Sequence, residues 1–63
     1  MCLSTVYRLA DGERREVMRD VSRMQAEGDG YVLIDLFGRR DRVQGRIAYL
    51  DLVEEHIVVI EKA

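Results

Sequence analysis

The chain has 63 residues, of which 48% are hydrophobic and 35% are charged, and its formal net charge is −2. This length predicts a single domain over residues 1–63, and the composition is that of a folded protein rather than a disordered one. No stretch approaches the ~20 apolar residues that a membrane-spanning helix needs, and the chain does not open with a secretory pattern. We therefore expect a cytoplasmic protein, in which a lone thiol stays reduced.

The charged residues argue against a nucleic-acid-binding surface. Nine of the ten basic residues are arginine, but they are interleaved with carboxylates throughout, including the pairs Arg14-Arg15 and Arg39-Arg40. A nucleic-acid-binding protein usually shows a basic surplus or a basic face. This pattern favours ion pairs on the surface or contacts with anions.

The first predicted element is a strand over residues 3–9, which are rich in β-branched and aromatic side chains. The Asp11-Gly12 pair that follows is typical of a hairpin turn. Residues 13–27 are ambiguous, because Val17, Met18, Val21 and Met24 recur at the spacing of one helix face. The pattern predicts a helix over 13–27, and hence an α+β fold. The alternative is a strand with a bulge or bend marked by Asp20 and Ser22, which would give two short pieces at about 14–19 and 21–26.

Three further strands are predicted. Residues 31–37 and 57–60 are apolar on both faces, so each should be covered on both sides, within the fold or at a subunit contact. Residues 43–52 read as one strand with an irregularity near Gly45, since glycine inside a strand often marks a bulge. Turn signals at residues 27–30, at Gly38 and at residues 54–56 separate these segments. Their spacing is typical of a small all-β fold.

The sequence contains no pattern of a catalytic site. There is no glycine-rich phosphate loop and no serine nucleophile motif, and the single cysteine and single histidine are 54 positions apart. A chain of this size also has little room for a substrate pocket. We therefore expect that it is not an enzyme.

Cys2, the only cysteine, is the strongest candidate for a binding residue. Its thiolate can chelate a metal together with main-chain nitrogen, either its own amine if Met1 is removed or the Met1 amine and the Cys2 amide if Met1 is retained. Two such arms related by a two-fold axis would supply an N₂S₂ set, which suits Ni(II) or Cu(II) in square-planar geometry. A reactive thiol and an inert cysteine are the alternatives.

His56 is the other soft ligand in the chain. It follows Glu54-Glu55 in the turn before the last strand, and it could support or supplement the metal ligands if the two termini lie close together. An exposed turn histidine is the simpler interpretation. Met18 and Met24 fall in an apolar pattern and are expected to fill the core.

Several sequence blocks together carry a family resemblance. The chain opens with residues 1–7 (MCLSTVY), and it later has Ala26-Glu27-Gly28, the segment 35–38 (DLFG), Gly45-Arg46-Ile47 and the final apolar strand 57–60. This order resembles the CooT family of small nickel-binding accessory proteins, which are linked to maturation of the nickel-containing carbon monoxide dehydrogenase. The similarity covers nearly the whole chain.

The resemblance implies a small SH3-like barrel of five to six strands, with strands in place of the helix at 13–27. It also implies a homodimer that holds one Ni(II) through the cysteine matching Cys2, with Met1 beside it. Within this fold we expect Gly38 to have a positive φ angle and Phe37 to pack in the core or in the dimer contact. A small RNA-binding or protein-docking β-barrel without a metal role is the alternative function.

Overall fold

All regular secondary structure is β-strand in the computed structural model, which describes residues 3–62. The six strands are β1 (Ser4–Ala10), β2 (Glu13–Glu27), β3 (Gly30–Asp35), β4 (Arg40–Gln44), β5 (Arg46–Asp51) and β6 (Ile57–Glu61). They form one sheet in the order β4-β3-β2-β1-β6-β5, in which only β1 and β6 are parallel. The predicted all-β class is confirmed. Since no helix occurs in residues 3–62, none of that range is a candidate helical membrane span.

The sheet curves around one apolar core to which five of the six strands contribute. Val6, Leu33 and Ile60 are fully buried at its centre. Val21, Val43 and Val58 complete the cluster, and the methionines at 18 and 24 pack against it as predicted. Residues 57–60 are all buried, although successive side chains of a strand point to opposite faces of the sheet. This confirms that the last strand is covered on both faces.

The helix predicted over 13–27 is wrong, and the reason lies in the pairing of β2. Val6 pairs with Met18 while Ser4 pairs with Val21, so β2 advances three residues where β1 advances two. The same happens against β3, where Asp35 pairs with Val21 and Leu33 pairs with Met24. Each bulge adds one residue to β2, so successive residues that face the core are three positions apart instead of two. Residues 18, 21 and 24 therefore reach the core from a strand, with a spacing that imitates a helix.

A bend in β2 lies between its two paired halves. Asp20 has a φ of 54°, which is uncommon for a residue other than glycine. β2 pairs with β1 as far as Val21, and from Val21 onwards it pairs with β3. The strand alternative with a bulge near residues 20–22 is thus correct, but the predicted division into two short pieces is wrong, because β2 runs without a break over Glu13–Glu27.

Gly45 divides the single strand that was predicted over 43–52. β4 pairs with β3 and β5 pairs with β6, so the chain crosses at Gly45 between the two edges of the sheet. Its φ of 129° suits glycine alone, and a Cβ atom there would overlap the carbonyl oxygen of Glu61. Within residues 3–62 β4 and β5 do not pair, so the sheet remains open between them.

Two turns have the predicted chemistry, and one predicted strand ends early. Asp11 and Gly12 have φ angles of 54° and 77°, as expected for a tight hairpin between β1 and β2. Gly38 has a φ of 84°, which confirms its predicted positive value. The strand predicted over 31–37 ends at Asp35, and Phe37 lies in the following turn with 72% of its surface exposed. Of the two predicted positions of Phe37, its exposure excludes the core of its own chain, and the dimer contact stays a prediction.

Candidate functional site

The predicted metal ligands Met1 and Cys2 lie outside the described residues, so the structure bears on them through the strand that follows. Leu3 is half-buried, and Ser4 begins β1. β1 is an interior strand, with β2 on one side and β6 on the other. The residues that follow Cys2 are therefore held by backbone pairing on both sides.

One row of paired residues crosses five strands at the start of β1. On one side Ser4 pairs with Val21, which pairs with Asp35 at the end of β3. On the other side Thr5 pairs with Ile57, which pairs with Asp51 at the end of β5. Along this row the beginning of β1 lies between two turns, one starting at Asp35 and the other at Asp51. We call them the 35–40 turn and the 51–56 turn.

His56 ends the 51–56 turn beside the N-terminal strand. Its carbonyl oxygen accepts a hydrogen bond from the backbone N–H of Thr5 at 3.0 Å, and its φ is 55°. Its Nδ1 atom is buried and has no hydrogen-bond partner within residues 3–62. The backbone of His56 is therefore bonded to β1, and its role as an auxiliary ligand stays a prediction.

Asp35 organises the 35–40 turn through a buried carboxylate. Its Oδ1 accepts backbone N–H bonds from Phe37 at 2.9 Å and from Arg39 at 2.8 Å, and its Oδ2 accepts the Arg39 Nε–H at 2.7 Å. Burial disfavours the charged form, but the Arg39 and Phe37 hydrogen bonds outweigh it and lower the pKa of Asp35. The carboxylate is thus a structural cap. Sequence reasoning gave Asp35 no role, although aspartate ahead of a turn glycine is a known signal.

Asp51 organises the 51–56 turn in the same way. Its Oδ1 accepts the backbone N–H groups of Val53 and Glu54, each at 3.0 Å. These two hydrogen bonds, with a smaller contribution from the Glu55 N–H, lower the pKa of Asp51 against the opposing effect of burial. Both turns therefore begin with an aspartate that binds the N–H two residues ahead.

Each turn exposes two consecutive apolar side chains directly after its aspartate. Leu36 and Phe37 are 53% and 72% exposed, and Leu52 and Val53 are 55% and 84% exposed. The guanidinium of Arg39 lies over the Phe37 ring, 5.5 Å from its centroid. Large apolar residues exposed together typically mark a contact with another molecule rather than a defect of the fold.

Ion pairs, one of the uses that the sequence left open for the arginines, occur for just over half of them. Five of them pair with carboxylates in residues 3–62, namely Arg15, Arg19, Arg39, Arg42 and Arg46. Arg42 bridges Glu27 and Asp29 across the β2–β3 turn. Residues 3–62 contain no group of three or more His, Cys, Asp or Glu side chains arranged to hold a metal. A complete metal site is therefore absent from that part of the chain.

A sequence model of the CO dehydrogenase accessory protein CooT matches residues 1–61. The chain belongs to the CooT family. This match includes Cys2, all six strands and both turns. A search among curated proteins finds no match.

The fold of this CooT-family chain also occurs in a solved structure. A crystal structure described as a candidate CooT from Carboxydothermus hydrogenoformans superposes with a TM-score of 0.87, and 98% of each chain is covered. The two sequences are 21% identical, so this likeness concerns the fold. The family description is that of an accessory protein of CO dehydrogenase, which agrees with the expectation that the chain is not itself an enzyme.

Proposed function

We propose that this chain is a nickel-binding accessory protein, acting as a metallochaperone or nickel store for CO dehydrogenase maturation. In this proposal Ni(II) binds through the Cys2 thiolate and N-terminal main-chain nitrogen, from Met1 if that residue is retained. The observation that carries the proposal is the CooT-family match, which starts at residue 1 and so includes the only cysteine of the chain. The function requires a reduced thiol, in keeping with a cytoplasmic protein.

The donor chemistry supports a shared site. One N-terminal arm supplies a sulfur and one or two nitrogens, and two arms supply the N₂S₂ set that square-planar Ni(II) prefers. The placement of β1 supports it as well, because a strand held on both sides gives the arm a defined starting point.

The test is a titration of purified protein with Ni(II), monitored by thiolate-to-metal charge-transfer absorption and native mass spectrometry. We expect one Ni(II) per dimer, with an affinity that rises with pH because the ligands must lose protons. The variant Cys2→Ser should lose the absorption band and the tight binding. Ser4→Ala removes a neighbouring hydroxyl from the same strand end and should retain both. Equal nickel binding by Cys2→Ser and wild type would refute the proposal.

A further inference from the structure

The face of the sheet that points away from the core, which we call the outer face, carries a second apolar feature centred on Val59. Along β6, Val59 alternates with the core residues Val58 and Ile60, so its side chain lies on the outer face. It is nevertheless only 5% exposed. Its pairing partners on the two neighbouring strands are both tyrosines, Tyr7 on β1 and Tyr49 on β5. Two aromatic residues therefore flank a covered valine on the outer face.

A groove of about 490 Å³ lies on the outer face at Val59. It is lined by three apolar residues, one tyrosine and two charged residues, namely Leu9, Ala48, Val59, Tyr49, Arg14 and Glu55. The Tyr49 hydroxyl donates a hydrogen bond to the Glu55 carboxylate at 3.2 Å. Glu55 thus holds one wall of the groove, and its own charge is bonded within the chain. The apolar part of the lining suits a hydrocarbon side chain, which gains free energy by leaving water.

The other charged group of the groove, Arg14, is held in place but forms no ion pair within residues 3–62. Its guanidinium lies over the Tyr7 ring, 5.4 Å from the ring centroid. Stacking covers one face of a guanidinium, while the N–H groups at its edge stay available for the two oxygens of a carboxylate. The adjacent Arg15 differs, because it pairs with Glu13 and its side chain lies on the opposite face of β2.

We propose that this groove binds a peptide segment of another protein in which an acidic residue lies next to an apolar one. The apolar side chain packs against Val59 between Tyr7 and Tyr49, and the carboxylate binds the edge of the Arg14 guanidinium. Charge complementarity selects this partner, since Glu55 is already bonded and Arg14 repels a basic segment. Tyrosine and arginine are also enriched among the residues that dominate binding energy at protein interfaces. The contact uses no metal ligand and does not depend on nickel.

The test is fluorescence anisotropy on metal-free protein with two short fluorescein-labelled peptides, one alternating leucine with aspartate and the other leucine with lysine. The net charge of −2 by itself favours the lysine peptide, so a preference for aspartate must come from a local site. We expect the aspartate peptide to bind at least ~10-fold more tightly. Arg14→Glu should weaken its binding by a similar factor and strengthen that of the lysine peptide. Tyr49→Ser, at a residue that is 50% exposed, should weaken both.

The matched control is Arg15→Glu, which makes the same change in net charge at the neighbouring position but on the opposite face of β2. It should bind the aspartate peptide as wild type does, and circular dichroism confirms that each variant is folded. A wild-type preference for the lysine peptide, or equal losses in the two arginine variants, would overturn the proposal.

Two further measurements separate this groove from other contacts. Sedimentation velocity tests a second copy of the chain as the occupant. If Arg14→Glu dissociates an oligomer of the protein that Arg15→Glu leaves intact, the groove is a contact between copies and the proposal is wrong. Cys2→Ser should bind the aspartate peptide like wild type, so peptide binding and the proposed nickel binding can each fail without the other.

Discussion

The Asp35 carboxylate binds the Arg39 guanidinium at 2.7 Å, with the acid only 1% exposed in its side chain and the arginine 72% exposed. The bond therefore joins a buried anion to a cation at the surface. Because the same carboxylate also accepts two backbone N–H groups, it connects the last residue of β3 to the start of β4. The Asp35 side chain thus holds the 35–40 turn together with two backbone hydrogen bonds, from Gly38 N–H to Asp35 O and from Asp35 N–H to Arg39 O.

Replacement of Asp35 should separate two contributions to stability, the charge of its carboxylate and the hydrogen bonds that it accepts from the backbone. Asp35→Asn retains an oxygen for the Phe37 and Arg39 N–H groups but loses the charge, whereas Asp35→Ala leaves both N–H groups without their acceptor. We expect the melting temperature to fall by about 5–10 °C for Ala and by about half as much for Asn. Thermal denaturation followed by circular dichroism measures this. Equal losses in the two variants would contradict the hydrogen-bond explanation.

Acid should destabilise the protein by protonating three aspartates that accept hydrogen bonds in the folded chain. Hydrogen bonds from Arg42 and Gln44 lower the pKa of Asp29, and the turn hydrogen bonds described above lower the pKa of Asp35 and Asp51. The contribution of these groups to the stability of the fold is therefore fully present above the ordinary aspartate value near 3.8. It is lost as the pH falls through the lowered folded values. We expect the free energy of unfolding, measured with urea, to be nearly constant from pH 7 to about 5 and to fall steeply below about pH 4.

A comparison of variants identifies the carboxylate responsible for part of this acid dependence. Asp35→Asn should show a shallower fall below pH 4 than wild type, because one titrating group is gone. The control is Asp11→Asn, which removes a carboxylate from the hairpin turn and leaves Asn-Gly, a sequence that this turn prefers. The same fall in Asp35→Asn as in wild type would rule out Asp35 as a contributor.

Gly45 and Gly12 offer a matched test of backbone crowding. At Gly12 a Cβ atom would meet nothing within 4 Å, so a side chain is disfavoured mainly by the φ of 77°. Gly12→Ala should therefore lower the free energy of unfolding by about 1–2 kcal/mol. Gly45→Ala should cost about 3 kcal/mol or more, because its Cβ would overlap the Glu61 carbonyl oxygen and approach Ile60 Cγ2 at 3.0 Å. Urea unfolding of both variants checks the difference, and similar costs would contradict it.

His56 should affect nickel affinity without being required for the absorption band. Its unpaired Nδ1 and its backbone bond to Thr5 place it beside the strand that carries the N-terminal arm. We expect His56→Asn to weaken Ni(II) binding by about 10-fold, the lower end of the effect of supporting groups. Asparagine is chosen because it tolerates the positive φ. Competition with a chelator of known affinity measures the change, and an unchanged affinity would make His56 purely structural.

The strands at both ends of the chain and most of the turns were predictable from local sequence. Alternation, β-branched residues and glycine positions identified β1, β6 and the hairpin at Asp11-Gly12, because these signals depend on neighbouring residues alone. The Cys2 site could be proposed from the sequence for the same reason, since a thiolate and main-chain nitrogen need no other part of the fold.

The errors share a physical cause. Met18, Val21 and Met24 have the spacing of a helix face because a bulge in β2 lies between each of them and the next. These bulges arise from the pairing of β2 with β1 and β3, and the local sequence does not show which strands pair. Gly45 could be recognised as irregular, but which strands it joins depends on partners that are distant in sequence.

The sequence by itself determined that this protein is a small folded chain with apolar strands, tight turns and one N-terminal thiol. Only the tertiary structure decided that β2 is a bent strand, that Phe37 points away from the core, and that the N-terminal strand lies between two apolar turns. The physical reason is that strand pairing and burial are long-range. A residue's own neighbours specify its preferred backbone, whereas the strands across the sheet specify which surface it occupies.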